Sequence, residues 1–332
     1  MTALPRFLRH SSQDEPGFSR RRRGRGFSYH GIDGALIRCE RTLDRIKGLG
    51  LPPAYVDVWI CTDEHGHLQA AGTDARGRRQ YRYHPDWRAY REAQKYDRLE
   101  DFGRALPSLR ERVEADLRRN RPDRAQVAAA LVRLIDEAAL RVGSDRYAHE
   151  NKTFGATTLR SRHVKMSGAT LKLSFSAKGG KRVRKQLSDR TLARVLGRID
   201  DLPGRALFTC LDDDGEVRPV HSEDVNRYIS ETTGDERFTA KAFRTWHGSV
   251  TALERVMADP DDVTIKALSE AAAERLHNTP SIARNSYIHP RVIDLAERTS
   301  ADREAALDAL DLRRAPNGLP TREKRLIALL AQ

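Results

Sequence analysis

Residues 170–187 read Thr170-Leu171-Lys172-Leu173-Ser174-Phe175-Ser176-Ala177-Lys178-Gly179-Gly180-Lys181-Arg182-Val183-Arg184-Lys185-Gln186-Leu187. Leu171, Leu173 and Phe175 alternate with polar residues, Gly179-Gly180 makes a tight turn, and 181–187 returns, so the stretch predicts a β-hairpin with Lys178 at its tip. Its surroundings are helical. Upstream, Asp123 is placed to cap a helix that carries Val127, Leu131, Leu134, Ile135 and Ala138 on one face and ends at Arg141-Val142-Gly143. Downstream come a strand pair over 207–217, turning at Asp214-Gly215, and helices near 223–230, 240–257, 261–276 and 281–288. One hairpin and one short strand pair within a run of helices predict a mainly helical domain with a small sheet.

The N-terminal part has a different character. A helical pattern over 40–49 closes at Gly48 and Gly50 before Pro52-Pro53, and 55–62 then alternates Val56, Val58 and Ile60 against Asp57, Trp59 and Cys61. Strand patterns over 68–72 and 79–84 follow, giving a small antiparallel sheet. The fold class is therefore α+β, with residues 1–25 read as a basic solvated tail on the strength of Arg20, Arg21, Arg22, Arg23 and Arg25, residues 26–92 as a β-rich domain, and residues 93–332 as the helical domain.

Lysine and arginine number 60 against 47 aspartates and glutamates, a formal charge of +13 over 332 residues. That excess, mostly arginine, points to a polyanionic partner, and without a basic amphipathic helix bearing a large aromatic face, nucleic acid is favoured over a membrane surface. No apolar run has the length of a membrane span and 1–10 lacks a secretory pattern, so a cytoplasmic, nucleoid-associated protein is expected. Cys39, Cys61 and Cys210 form no CxxC pair, which argues against a disulfide framework or a zinc site. Glu64-His65-Gly66-His67 reads as a turn between strands, and Asp212-Asp213-Asp214-Gly215 lacks calcium-loop spacing. No Walker loop is present, and neither a metal nor a cofactor is expected.

The last helical pattern holds the residue of greatest chemical interest. In 277–287 Thr279 is placed to cap a helix with Pro280 at its first position, which sets Tyr287 two turns along. Taken in order, Arg141-Val142-Gly143, Phe175-Ser176-Ala177-Lys178-Gly179-Gly180-Lys181, Lys241-Ala242-Phe243-Arg244-Thr245, and Asn278-Thr279-Pro280 with Tyr287 resemble the catalytic boxes of the poxvirus-like bacterial type IB DNA topoisomerases. The stretches 51–61 and 77–84, the latter containing Tyr81 and Tyr83, are similar to the same family's DNA-clamping domain. The resemblance covers about residues 27 to 300. It implies a monomer that acts on double-stranded DNA, with Tyr287 as nucleophile and Arg141, Lys178, Arg244 and Asn278 as the remaining catalytic residues.

Physical demands agree with these assignments. A phenol with a pKa of about 10 is a poor nucleophile at neutral pH and needs cationic surroundings. Planar guanidinium groups, here Arg141 and Arg244, suit the negative charge that builds on nonbridging phosphoryl oxygens. A leaving 5′ oxygen needs a proton, for which Lys178 is the candidate and Lys181 the rival. Asn278 stands where poxvirus-type relatives usually carry histidine. It still donates a hydrogen bond but does not titrate, and neighbouring His277 is the alternative occupant of that position. Lys241, Tyr147 and Lys181 are expected on the DNA backbone beside the reacting phosphate. A tyrosine recombinase shares most of this chemistry, but such enzymes usually carry histidine where Lys241 stands, and a noncatalytic basic DNA-binding protein leaves the ordered set unexplained.

Overall fold

A computed structural model of the chain describes residue 5 and residues 7–204, 206–260 and 262–332. The chain divides into two compact units, Met1–Asp97 and Arg98–Gln332.

The first unit is built on a five-stranded antiparallel sheet: β1 (Phe18–Arg23), β2 (Gly26–His30), β3 (Val56–Ile60), β4 (Leu68–Thr73) and β5 (Arg79–Tyr83), in the order β2-β1-β3-β4-β5. Helix α1 (Glu40–Gly48) connects β2 to β3, and α2 (Pro85–Asp97) follows β5. Ile46 of α1 packs on Val58, Ile60 and Ala70, so the alternation of β3 supplies the inner face of a small core.

The arginine run is not the tail that its composition suggests but part of the sheet, with Arg21, Arg22, Arg23 and Arg25 still exposed. Residues 18–23 form β1, paired with β2 from Ser19↔His30 to Arg23↔Gly26 and with β3 through Phe18↔Ile60 and Ser19↔Trp59. Alternation along the strand separates the like charges onto opposite faces. Arg20 finds acceptors in the carbonyls of Leu51, Pro52 and Tyr55, the last at 2.6 Å, and its guanidinium lies 4.2 Å from the Phe27 ring centroid. Earlier residues are packed as well: Leu8 and Ser11 are buried, and the Ser11 amide donates to Nδ1 of His67 at 2.9 Å.

The second unit opens with α3 (Leu99–Leu117), α4 (Arg124–Ala138) and α5 (Asp145–Asn151). A three-stranded sheet of β6 (Val164–Ser167), β7 (Thr170–Ser176) and β8 (Arg182–Ser188) follows, in the order β6-β7-β8. Then come α6 (Arg190–Asp200), the pair β9 (Thr209–Leu211) and β10 (Val217–Pro219), α7 (Ser222–Thr233), α8 (Ala240–Ala258), α9 (Ile265–Leu276), α10 (Pro280–Tyr287), α11 (Pro290–Glu297), α12 (Ser300–Asp308) and α13 (Thr321–Leu330). Asp123 caps α4 by accepting from the Gln126 amide at 2.9 Å. Helix α4 is buried nearly all round, with Leu131, Leu134 and Ile135 fully enclosed beside Phe102 of α3 and Phe243 and Trp246 of α8. Helix α9 begins at Ile265 because Thr264 caps it through the Ala267 amide, later than the 261 read from the pattern, and residue 261 lies outside the described residues.

The segment after α11 returns to this core. Glu323 of α13, 2% exposed, accepts from Arg110 of α3, which also pairs with Asp136 of α4 at 2.7 Å. Nε2 of His247 on α8 meets the same carboxylate at 2.8 Å. Arg291 of α11 donates to the last carbonyls of α13, those of Leu329 at 3.1 Å and Leu330 at 2.8 Å.

Candidate active site

Two helix ends define the site. Helix α4 closes on Ala139 at φ 52° and α9 on His277 at φ 49°, left-handed residues that are neither glycine nor asparagine. These turns redirect the chain so that Arg141 and Asn278 leave the two helices next to each other, and Nη2 of Arg141 donates to Oδ1 of Asn278. The loop carrying Arg141 is fixed by the pairing of Arg141 and Val142 with Ala156 and Thr157. Gly143 and Gly155 pass so closely there that a Cβ on Gly155 would lie 2.6 Å from the Gly143 Cα.

Arg244, from the first turns of α8, is buried between the two ends. Its Nη1 donates to the Ala139 carbonyl at 2.6 Å and its Nη2 to the Leu276 carbonyl at 3.0 Å. Both acceptors sit at helix carboxyl termini, where orphan carbonyls and the helix dipole favour a cation. Even so, burial pushes the Arg244 guanidinium down to about 10, with the charge of Arg141 adding to the effect. Arg141 is lowered by burial as well. Nε of Arg244 and Nδ2 of Asn278 are buried donors with no hydrogen-bond partner among the described residues. A desolvated pair of guanidinium groups with spare buried donors is what an anion such as a phosphodiester requires.

Tyr287 completes the cluster. Thr279 accepts from the Ile282 amide at 3.3 Å with Pro280 at the first helical position, so α10 delivers Tyr287 as its last residue. The Cζ of Arg244 lies 4.9 Å from the Tyr287 ring centroid. Burial alone would push the phenol up, but Arg244, then Arg141 and Lys241, outweigh it and hold the hydroxyl below the ordinary tyrosine range. The Tyr287 backbone rests on α8: its carbonyl accepts from Oγ of Ser249 at 3.3 Å, and a Cβ on Gly248 would stand 2.5 Å from that same oxygen.

Lys178 occupies the turn of the β7–β8 hairpin, where Gly179 at φ 77° and Gly180 at φ 75° reverse the chain. It is exposed, its Nζ lies 6.0 Å from the ring centroid of Tyr147 on α5, and both residues line a pocket of about 220 Å³ together with Arg141. Lys181 is exposed across the turn, and Lys241 is exposed at the start of α8. His277, in the left-handed turn itself, is pushed down to about 4 by burial and then by Lys185, Arg244 and Arg141. Tyr81 and Tyr83 belong to the first unit, exposed on one face of β5 with ring centroids 6.2 Å apart. The structure thus gathers Arg141, Arg244, Asn278 and Tyr287, and sets Lys178 on the same pocket as Arg141. Sequence reading passed over Gly248, which makes room for the Tyr287 backbone, and Lys185, which faces the core from β8. A lysine in phase with Val183 and Leu187 was the available signal for the second.

Comparison with known proteins follows the same outline. Residues 84–300 match the eukaryotic DNA topoisomerase I catalytic core, and residues 26–74 match the bacterial DNA topoisomerase IB N-terminal domain. The chain is 29% identical over 293 residues to DNA topoisomerase 1B of Acanthamoeba polyphaga mimivirus, spanning 84% of this chain and 87% of that protein. It is 23% identical over 205 residues to DNA topoisomerase 1 of Mycosarcoma maydis, spanning 56% of this chain and 20% of that protein. A catalytic-core match over well more than half the chain, joined to a bacterial N-terminal match in the expected order, makes this chain a member of the poxvirus-like bacterial type IB DNA topoisomerases.

Proposed function

We propose that this enzyme relaxes positive and negative supercoils by cutting one strand through a 3′-phosphotyrosyl bond at Tyr287 and resealing it, with neither ATP nor metal. The carrying observation is the Tyr287 ring set against the buried Arg244, with Arg141 hydrogen-bonded to Asn278 alongside. In this reading the Tyr287 oxygen attacks phosphorus and its proton passes to solvent. The bond from phosphorus to the 5′ oxygen breaks, and Lys178 delivers a proton to that oxygen. Arg141, Arg244 and Asn278 donate to the nonbridging oxygens as charge builds there, Asn278 rather than His277 filling the remaining donor position. The phosphotyrosyl bond conserves the energy of the broken one, so the freed 5′ hydroxyl reseals the strand by the reverse attack. Lys181, Lys241, Tyr147, Tyr81 and Tyr83 contact the DNA, and affinity falls steeply with salt.

Purified protein is expected to relax supercoiled plasmid in EDTA without nucleotide. Tyr287→Phe is expected to abolish relaxation while DNA binding is retained, and an active Tyr287→Phe enzyme rejects the nucleophile.

A further inference from the structure

Lys185 stands where the alternation of the hairpin calls for an apolar residue. Val183, Lys185 and Leu187 of β8 lie opposite Phe175, Leu173 and Leu171 of β7, and these neighbours belong to or pack against the main core. Its Nζ donates to the Arg275 carbonyl at 3.1 Å. That carbonyl is in the last turn of α9, immediately before Leu276, whose carbonyl receives Arg244, and just ahead of the turn that presents Asn278. The Arg275 side chain in turn donates to the Glu137 carbonyl of α4 at 2.7 Å. One lysine therefore fastens the strand leading from the Lys178 turn to the helix end on which the phosphate-facing residues rest.

This placement is costly. Burial, with the charges of Arg275 and Arg244 adding to it, pushes the Lys185 ammonium down to about 8. An apolar side chain of similar length would suit the same slot without that penalty, so the charge works against the fold. A residue that costs stability at the edge of an active site is characteristic of a functional constraint.

We propose that Lys185 is a positioning residue for strand cleavage: by anchoring β8 to the carboxyl end of α9 it sets the reach of Lys178 toward the leaving oxygen. This rests on Lys178 as the proton donor. The discriminating probe is a duplex in which sulfur replaces the bridging 5′ oxygen at a site the wild-type enzyme cuts, because a thiolate departs without being protonated.

Lys185→Met is expected to melt at or above the parent temperature and to bind DNA within about twofold. Single-turnover cleavage of the oxygen substrate should slow by about 10- to 100-fold, and cleavage of the sulfur substrate should stay within about threefold of wild type. Lys185→Arg, which retains a donor for the carbonyl, should recover much of the loss. Unimpaired cleavage by Lys185→Met, or equal slowing on both substrates, overturns the proposal. Lys185→Gln, too short for the carbonyl, is measured in parallel so that a folding failure of one variant does not decide the matter: slowing on oxygen alone supports the proposal and equal slowing overturns it. Lys178→Ala separates the two levels. If sulfur rescues it and not Lys185→Met, the positioning role alone falls; if sulfur fails to rescue it, the proton-donor reading falls and the positioning role with it.

Discussion

Gly248→Ala tests whether the close seating of α10 on α8 is what holds Tyr287 in place. The added methyl would stand 2.5 Å from the Tyr287 carbonyl oxygen, 3.1 Å from the Tyr287 Cβ and 3.1 Å from Cδ1 of Leu276. Restoring ordinary contact requires the backbone of Tyr287 to retreat by roughly 0.7–1 Å. Cδ1 of Leu276 is a side-chain terminus that can turn aside, but the Tyr287 carbonyl oxygen and Cβ are fixed to the backbone, so the movement falls on Tyr287, the proposed nucleophile. A displacement of that size in a reacting group costs on the order of a hundredfold in rate. Two effects on stability oppose each other: alanine in a helix gains up to about 1 kcal/mol over glycine, while overpacking costs about 1–3 kcal/mol. The variant should therefore remain folded, at most about 3 kcal/mol less stable than the parent. The assay is single-turnover cleavage of a duplex whose released 5′ end diffuses away, with DNA affinity measured beside it. Slowing of about 30- to 100-fold at unchanged affinity is expected, and cleavage within about threefold of the parent would refute the argument that this contact positions Tyr287.

Arg244→Lys keeps the charge but cannot reach the Ala139 and Leu276 carbonyls together; cleavage should fall by about 10²- to 10³-fold and stability by about 1–3 kcal/mol, and a lysine variant cutting at near parental rate rejects the bridging role. Asn278→His should be tolerated in a plasmid relaxation assay and Asn278→Ala should cut about a hundredfold more slowly; inactivation by histidine places the second donor elsewhere. His277 has its folded pKa lowered to about 4 from 6.5, so protonation favours the unfolded chain: the associated stability is present above 6.5 and is lost as pH falls from there through 4. His277→Asn, compatible with the left-handed turn, should flatten Tm against pH in that window relative to the parent, and parallel curves count against the burial of His277 as the cause.

Much of the site was legible because its parts are local. The β7–β8 hairpin announces itself by alternation and a Gly-Gly turn, and α10 by a threonine cap followed by proline. The tail was misread because a run of arginines resembles a solvated segment unless its acceptors are known, and those of Arg20 are carbonyls about thirty positions further on. The left-handed ends at Ala139 and His277 carry no local mark, since the usual signal is glycine or asparagine and tertiary packing imposes the conformation here. Nor does spacing reveal that Arg110 joins Asp136 to Glu323, a pairing made by folding α13 back onto α3.

That folding back bears on how the enzyme withstands load. In the proposed cycle the cut strand hangs from one phenol while the duplex turns, so every tug on the DNA is felt at Tyr287. The chain leaving α10 is secured further on, by Arg291 on the end of α13 and by Glu323 on Arg110, and the chain entering α10 is secured by the buried turn at Asn278. A cord made fast on both sides of the knot resists unpicking: a pull at Tyr287 must break buried contacts in concert and cannot unzip the polypeptide from a loose end.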